Sequence, residues 1–143
     1  MTNAIEKSAL LIMDVQPGII DRVADKEAYL ERVKAAVAAA HDQKILVVYV
    51  VVGFRAGLPK ISARNQSFSN LKSTISDTMI DPQPVIAATK ADVVVTKRRV
   101  SAFSGSDLEV VLRAQGIGHL ILAGIATSGV VLSTVREAAD KDY

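Results

Sequence analysis

The sequence predicts an α/β domain built on a parallel sheet. Three observations carry this. Four short, nearly unbroken apolar runs recur along the 143 residues, segments of helical periodicity alternate with them, and each run ends abruptly in polar or small residues. Continuous apolar runs suit strands buried on both faces, as parallel strands are. Alternation of such strands with helices implies right-handed βαβ units.

The first run, Ala9 to Met13, stops at Asp14, and Asp14-Val15-Gln16-Pro17-Gly18 reads as a loop. From about Ala28 to Gln43, Leu30, Val33, Val37 and Ala40 recur at helical spacing, with Glu31, Arg32 and Lys34 opposite. Ile45 to Val52 is a second, β-branched strand. The long polar stretch from Gly53 to Asp81 is expected to act as a loop or lid, its best helical piece at Asn70 to Thr74. Asp92 to Thr96 is the third strand. Ser106-Asp107-Leu108-Glu109 matches a capping box, which predicts a helix to about Gln115 with Gly116 as its stop. His119 to Ala123 is the fourth strand, Gly124 to Ser128 a tight turn, and Gly129 to Asp140 a helix. The chain ends at Tyr143, where a βαβ series places another strand. Residues 1–143 are therefore expected to be one domain, truncated at its C-terminal end or completed by a strand from elsewhere. Without such a neighbour strand four leaves an apolar edge, so a homo-oligomer is expected.

Composition narrows the chemistry. Half of the residues are hydrophobic, aromatics are few, and the net charge is only +2. The basic cluster Lys97-Arg98-Arg99 is too short for a nucleic-acid stripe, and no run approaches a membrane-spanning helix, so neither partner is expected. There is no cysteine, which excludes disulfides and thiol catalysis. Met1 to Lys7 is polar and the apolar run after it is too short for a signal peptide. A cytoplasmic location is expected.

Ligands of open α/β sheets bind beyond the carboxyl ends of the strands. Asp14 ends strand one, where burial would raise its pKa and suit it to acid or base work; capping the next turn is the equal alternative. Lys97, after strand three, could pair with Asp14, but position alone favours a solvent-facing lysine in a basic run. Gly124-Ile125-Ala126-Thr127-Ser128-Gly129 leads into a helix whose free amides could hold an anion, with Ser128 as a cap.

Together these segments resemble one family. Leu-Ile-Met-Asp14-Val-Gln, Val-Thr-Lys97-Arg-Arg-Val-Ser-Ala-Phe and Gly124-Ile-Ala-Thr-Ser-Gly-Val-Val-Leu-Ser-Thr look like the isochorismatase-like hydrolases, often called cysteine hydrolases. The three motifs occur in the right order across nearly the whole chain. The resemblance implies a three-layer αβα fold with strand order 3-2-1-4, and a cis peptide bond at Ile125–Ala126. It implies an Asp, Lys, Cys triad at Asp14, Lys97 and Val130, with Ile125, Ala126, Thr127 and Gly129 around the substrate or oxyanion. Valine at 130 cannot attack a carbonyl, which rules out a thioester. Family members acting on isochorismate also lack the cysteine: their Asp protonates a vinyl ether and water attacks the cation. Val130 is bulkier than the small residue expected there. Arg55, Arg98 and Arg99 are the candidate cations for such a substrate. Ser128 and Thr127 have no histidine placed as base. The Asp/His metal site of the nicotinamidase branch has no counterpart in Val52 to Gly57, and His41 and His119 are remote from it, so no metal or cofactor is expected. Two functions follow: a hydrolase using Asp14 and Lys97 on a small molecule, or a catalytically silent member that binds a ligand or serves in an assembly.

Overall fold

The computed structural model describes residues 6–59, 61–75 and 77–143. Four strands, β1 (Lys7–Met13), β2 (Leu46–Val52), β3 (Val93–Lys97) and β4 (Ile117–Gly124), form one sheet in the order β3-β2-β1-β4. Every pairing is parallel. The strand order is the one the resemblance implied.

Side chains alternate across the sheet and build two cores. Leu10, Ile12, Val47 and Tyr49 face α1 (Lys26–Asp42), which buries Val33, Val37 and Ala40 against them. Ala9, Leu11, Met13, Val48, Val50 and Val95 face the other way, onto α3 (Leu108–Ala114) and α4 (Leu132–Asp140). The result is three layers, αβα. Among the described residues, no helix is long and apolar enough to cross a membrane.

The strands lie close to their expected places because burial on both faces demands unbroken apolar sequence. Local helix signals fared less well. α1 starts two residues early, where the Asp25 side chain accepts the Ala28 amide at 3.1 Å. The capping box at Ser106 does not form. Ser106 Oγ donates to Ala102 O at 2.6 Å and takes the Leu108 amide, two residues on, at 3.3 Å. Glu109 instead reaches Lys141 Nζ, at the C-terminal end of α4, at 2.7 Å. Gly116 does end α3, in the left-handed region at φ +66°. In the long segment the helix is α2 (Gln66–Ser69), not Asn70 to Thr74, because Asn65 Oδ1 caps it through the Phe68 amide at 2.9 Å. Residues 70–74 continue as turns.

That segment is not a solvated loop. Phe54, Ile61 and Phe68 are buried with Val52 in a third apolar cluster, joined by Ile19, Leu71 and Met79. It is thereby anchored over the carboxyl ends of the strands.

At the end of β4, Gly124 pairs with Met13, and a Cβ on it would lie 2.6 Å from Met13 O. The obstacle is backbone in the middle of the sheet and cannot swing away. Gly124→Ala is expected to destabilise the fold by about 3 kcal/mol, read from the urea midpoint.

Candidate active site

The sheet brings the ends of three strands together. β1 runs into Asp14, held by its amide to Val50 O at 2.8 Å and turned into the left-handed region at φ +62°. An aspartate tolerates that region better than most residues, and strained backbone of this kind clusters at functional sites. Gln16 fixes the loop that follows. Fully buried, its side-chain amide takes the Val52 amide at 2.8 Å and donates to Val52 O at 2.9 Å, standing in for a strand. Its main-chain oxygen accepts from Ile19 and Ile20. Gln16→Ala leaves both Val52 groups buried and unpaired, so the melting temperature should fall, by an amount equivalent to about 3 kcal/mol.

Lys97 overturns its positional reading. It is not solvent-facing: its side chain is 2% exposed, and Nζ lies 3.3 Å from Asp14 Oδ1. β2 separates β3 from β1, so the side chain must cross the end of an intervening strand, about 10 Å between outer strand axes. Only a long side chain does that. Nζ donates to Arg99 O at 2.8 Å and to Val100 O at 2.9 Å, which aims it. Asp14 Oδ1 is close to the ammonium but poorly aligned, and is buried without a hydrogen-bond partner among the described residues.

This geometry sets the electrostatics. Burial pushes the Asp14 carboxyl up from 3.8 to about 6, against the opposing pull of Lys97. Burial lowers the Lys97 pKa, with Asp14 working the other way. Asp14 is thus poised near neutrality beside a cation that steadies its ionised form.

Asp14 and Lys97 open on a cavity of about 590 Å³. Phe68, Leu71 and Met79 wall it on the side of the long segment, and Ile125, Ala126, Gly129 and Val130 on the side of β4. Val130 is 2% exposed and also packs in the core with Ala102 and Leu108. Thr127 is absent from this lining and borders a separate cleft with Tyr29 and Val33.

The turn itself differs from expectation in three ways. Thr127–Val131 is a π-helical turn, and α4 begins only at Leu132. The Gly129 and Val131 amides both donate to Ala126 O, at 3.2 and 3.3 Å, so Gly129 does not present a free amide. The Ala126 and Thr127 amides have no acceptor among the described residues. Ser128 does not cap the turn; its N-cap is Ala126, without a side-chain hydrogen bond. The Ile125–Ala126 peptide is cis.

Three arginines read as candidates lie elsewhere. Arg55 and Arg98 border a small cleft beside Asp81, and Arg98 Nη1 donates to Gly53 O at 2.6 Å. Arg99 donates to Arg98 O and lies over the Phe68 ring, 5.6 Å from its centroid. The arginine that does line the cavity is Arg22, with Gly18 and Ile19. It stands in a single 3-10 turn (Ile20–Arg22) that no strand-end or motif argument singles out.

A larger hollow, about 750 Å³, opens at the opposite end of the sheet. Its histidine is already matched, His41 Nε2 lying 2.7 Å from Asp92 Oδ1, and Asp92 is further held by Thr89. Among the described residues, no three His, Cys, Asp or Glu side chains cluster to hold a metal ion.

The family pattern described as "Isochorismatase domain" matches residues 8–143. The chain belongs to the isochorismatase family. This isochorismatase-family chain is 31% identical over 171 residues to the ureidoacrylate amidohydrolase RutB of Enterobacter sp. (strain 638), covering all of its own length and 74% of that protein. It is 26% identical over 155 residues to a probable inactive nicotinamidase of Arabidopsis thaliana, covering 100% of itself and 78% of the relative. In fold it is similar to a cysteine hydrolase from Pseudomonas syringae pv. phaseolicola 1448A, with a TM-score of 0.82 at 22% identity, over 96% of this chain and 68% of that one. Against that last name, this member contains no cysteine.

Proposed function

We propose that this chain is a hydrolase that acts on a small molecule through Asp14 and Lys97, with water as the only nucleophile. The carrying observation is a buried carboxyl with a pKa of about 6, placed 3.3 Å from a buried ammonium and facing a cavity. A group that is partly protonated near neutrality and whose conjugate base is stabilised by a fixed cation is built to give up a proton. An enol ether is the bond class this suits. Asp14 transfers its proton to the terminal carbon of the double bond, and the ether oxygen shares the resulting positive charge. Water adds to that cation and loses a proton. The hemiketal then splits into a ketone and an alcohol. Val130 is no obstacle to such a route, because no step forms a bond to protein.

The relative named as an amidohydrolase does not carry its chemistry over through a thiol, since this chain has none. A second reading is a ligand-binding member without turnover, favoured by the valine at position 130 and by similarity to a relative named as inactive. The setting that accompanies either reading is cytoplasmic. Homo-oligomeric assembly is supported by β4, which among the described residues pairs only with β1 and leaves Ile121 exposed at the sheet's edge.

The test is to incubate the protein with isochorismate, as an enol ether, and with a panel of amides, beside Asp14→Asn. Enol-ether turnover that depends on Asp14 is expected. Turnover indifferent to that substitution would sink the reading; tight ligand binding with no turnover would favour the second.

A further inference from the structure

The charges lining the cavity do not balance. Among the described residues that line it, Asp14 is the one acid, while Lys97 and Arg22 are two cations. Lys97 is committed to Asp14 and to two carbonyls. Arg22 is not committed: its guanidinium makes no hydrogen bond, ion pair or ring contact with a described residue. Arg98 and Arg99, by contrast, each donate to a backbone carbonyl.

The root of Arg22 is nevertheless fixed. Its amide donates to Ile19 O, the Ile19 and Ile20 amides both donate to Gln16 O, and Ile20 is buried under α1. The same Gln16 holds the loop that carries Asp14. The exposed arginine therefore projects from the segment that follows the acid, and the buried side chain of Gln16 ties that segment to the end of β2. The rest of the lining is mostly apolar, with Phe68, Leu71 and Ile125 among it, and its uncharged polar side chains are Ser67 and Thr74. A ligand matching this lining has an uncharged, largely apolar body and one anionic end.

We propose that Arg22 is the specificity-determining residue of this cavity, selecting a small molecule that carries a carboxylate on an apolar body. The guanidinium fork takes the two carboxylate oxygens side by side at the mouth. The apolar walls hold the body, and the far end is left at Asp14 and Lys97. This rests on the reading of the cavity as the substrate site, but not on turnover.

The probes are benzoate and benzamide, which share a ring and a shape and differ by one charge. Their binding is titrated by ligand-observed NMR at pH 7.5 in low salt. The wild-type protein is expected to hold benzoate about tenfold more tightly than benzamide. Arg22→Gln should bring the two to parity by weakening benzoate alone, and Arg22→Lys should keep part of the preference, as a point charge without the fork. Added salt should erode it, because the pair sits at a solvated mouth. Equal binding of both probes, binding of neither, or a preference untouched by Arg22→Gln overturns the proposal. Circular dichroism checks that the variants fold, and Arg22 is exposed with no partner to lose among the described residues. Asp14→Asn should retain the benzoate preference. In the wild-type protein, a benzoate preference with no enol-ether turnover would count against the hydrolase reading alone, and turnover without preference against this inference alone.

Discussion

Asp14→Asn is expected to lower kcat/KM on an enol-ether substrate by about 10²–10⁴-fold, the range supplied by a positioned general acid. The amide is nearly the shape of the carboxyl and keeps the place beside Lys97, but it has no proton to deliver. The pH profile separates this role from its opposite. An acid must be protonated, so wild-type kcat/KM should be flat below about pH 6 and fall tenfold per pH unit above it. A base would give the mirror image, rising towards pH 6 and level beyond. A rate that climbs through pH 6 would remove the proton-donor role.

The same carboxyl leaves a signature in stability. Its folded pKa, about 6, stands above the ordinary value of 3.8, so the folded protein holds this proton more tightly than the unfolded chain. Stability from this group is greatest below pH 4 and is lost as pH rises towards 6 and beyond, by about 3 kcal/mol. Asp14→Asn cannot titrate, so its urea midpoint should lack that decline. Parallel midpoint curves for the two proteins between pH 4 and 7 would contradict the assignment.

Lys97→Met is the larger lesion for the fold. It should destabilise the protein by about 3–5 kcal/mol at pH 8, the usual consequence of stripping one partner from a buried ion pair. Two effects add. Arg99 O and Val100 O lose their donor, and Asp14 loses the charge that opposes its desolvation. Without Lys97 the folded pKa of Asp14 moves further above 6. A raised carboxyl pKa withdraws stability as pH rises, so the variant should be nearest to wild type at pH 5 and furthest at pH 8. Asp14→Asn/Lys97→Met should recover part of the loss, because no uncompensated charge remains. Urea titrations of the three variants at both pH values measure this, and a loss identical at pH 5 and pH 8 would mean that packing alone is at stake.

Legibility in the sequence followed the range of the forces involved. Strands β1 to β4 were readable because a parallel strand buried on both faces has no room for polar residues, so its apolar run announces it. Asp14 was readable for the same reason, as the charge that stops such a run. Gly116 was readable because its left-handed conformation is a local demand. Ser106 and Glu109 were misread although their pattern is a standard local signal. Ala102 O and Lys141, brought close only by tertiary packing, offered them better partners. The helix of the long segment moved to Gln66–Ser69 because Asn65 caps it and Phe68 has a hydrophobic cluster to enter. Arg22 gave no signal, since its significance is a place at a cavity mouth and not a pattern.

By itself, the sequence determined the α/β class, the acid at the end of the first strand and the absence of a thiol. These depend on residue identity and on the periodicity of one element at a time. Only the tertiary structure decided that Lys97 is buried and reaches over β2 to Asp14, that Arg22 and not Arg55, Arg98 or Arg99 lines the cavity, and that Gly129 spends its amide inside the turn. Those facts depend on which distant segments share a solvent-free space, where desolvation and hydrogen-bond competition set the partners of each charge.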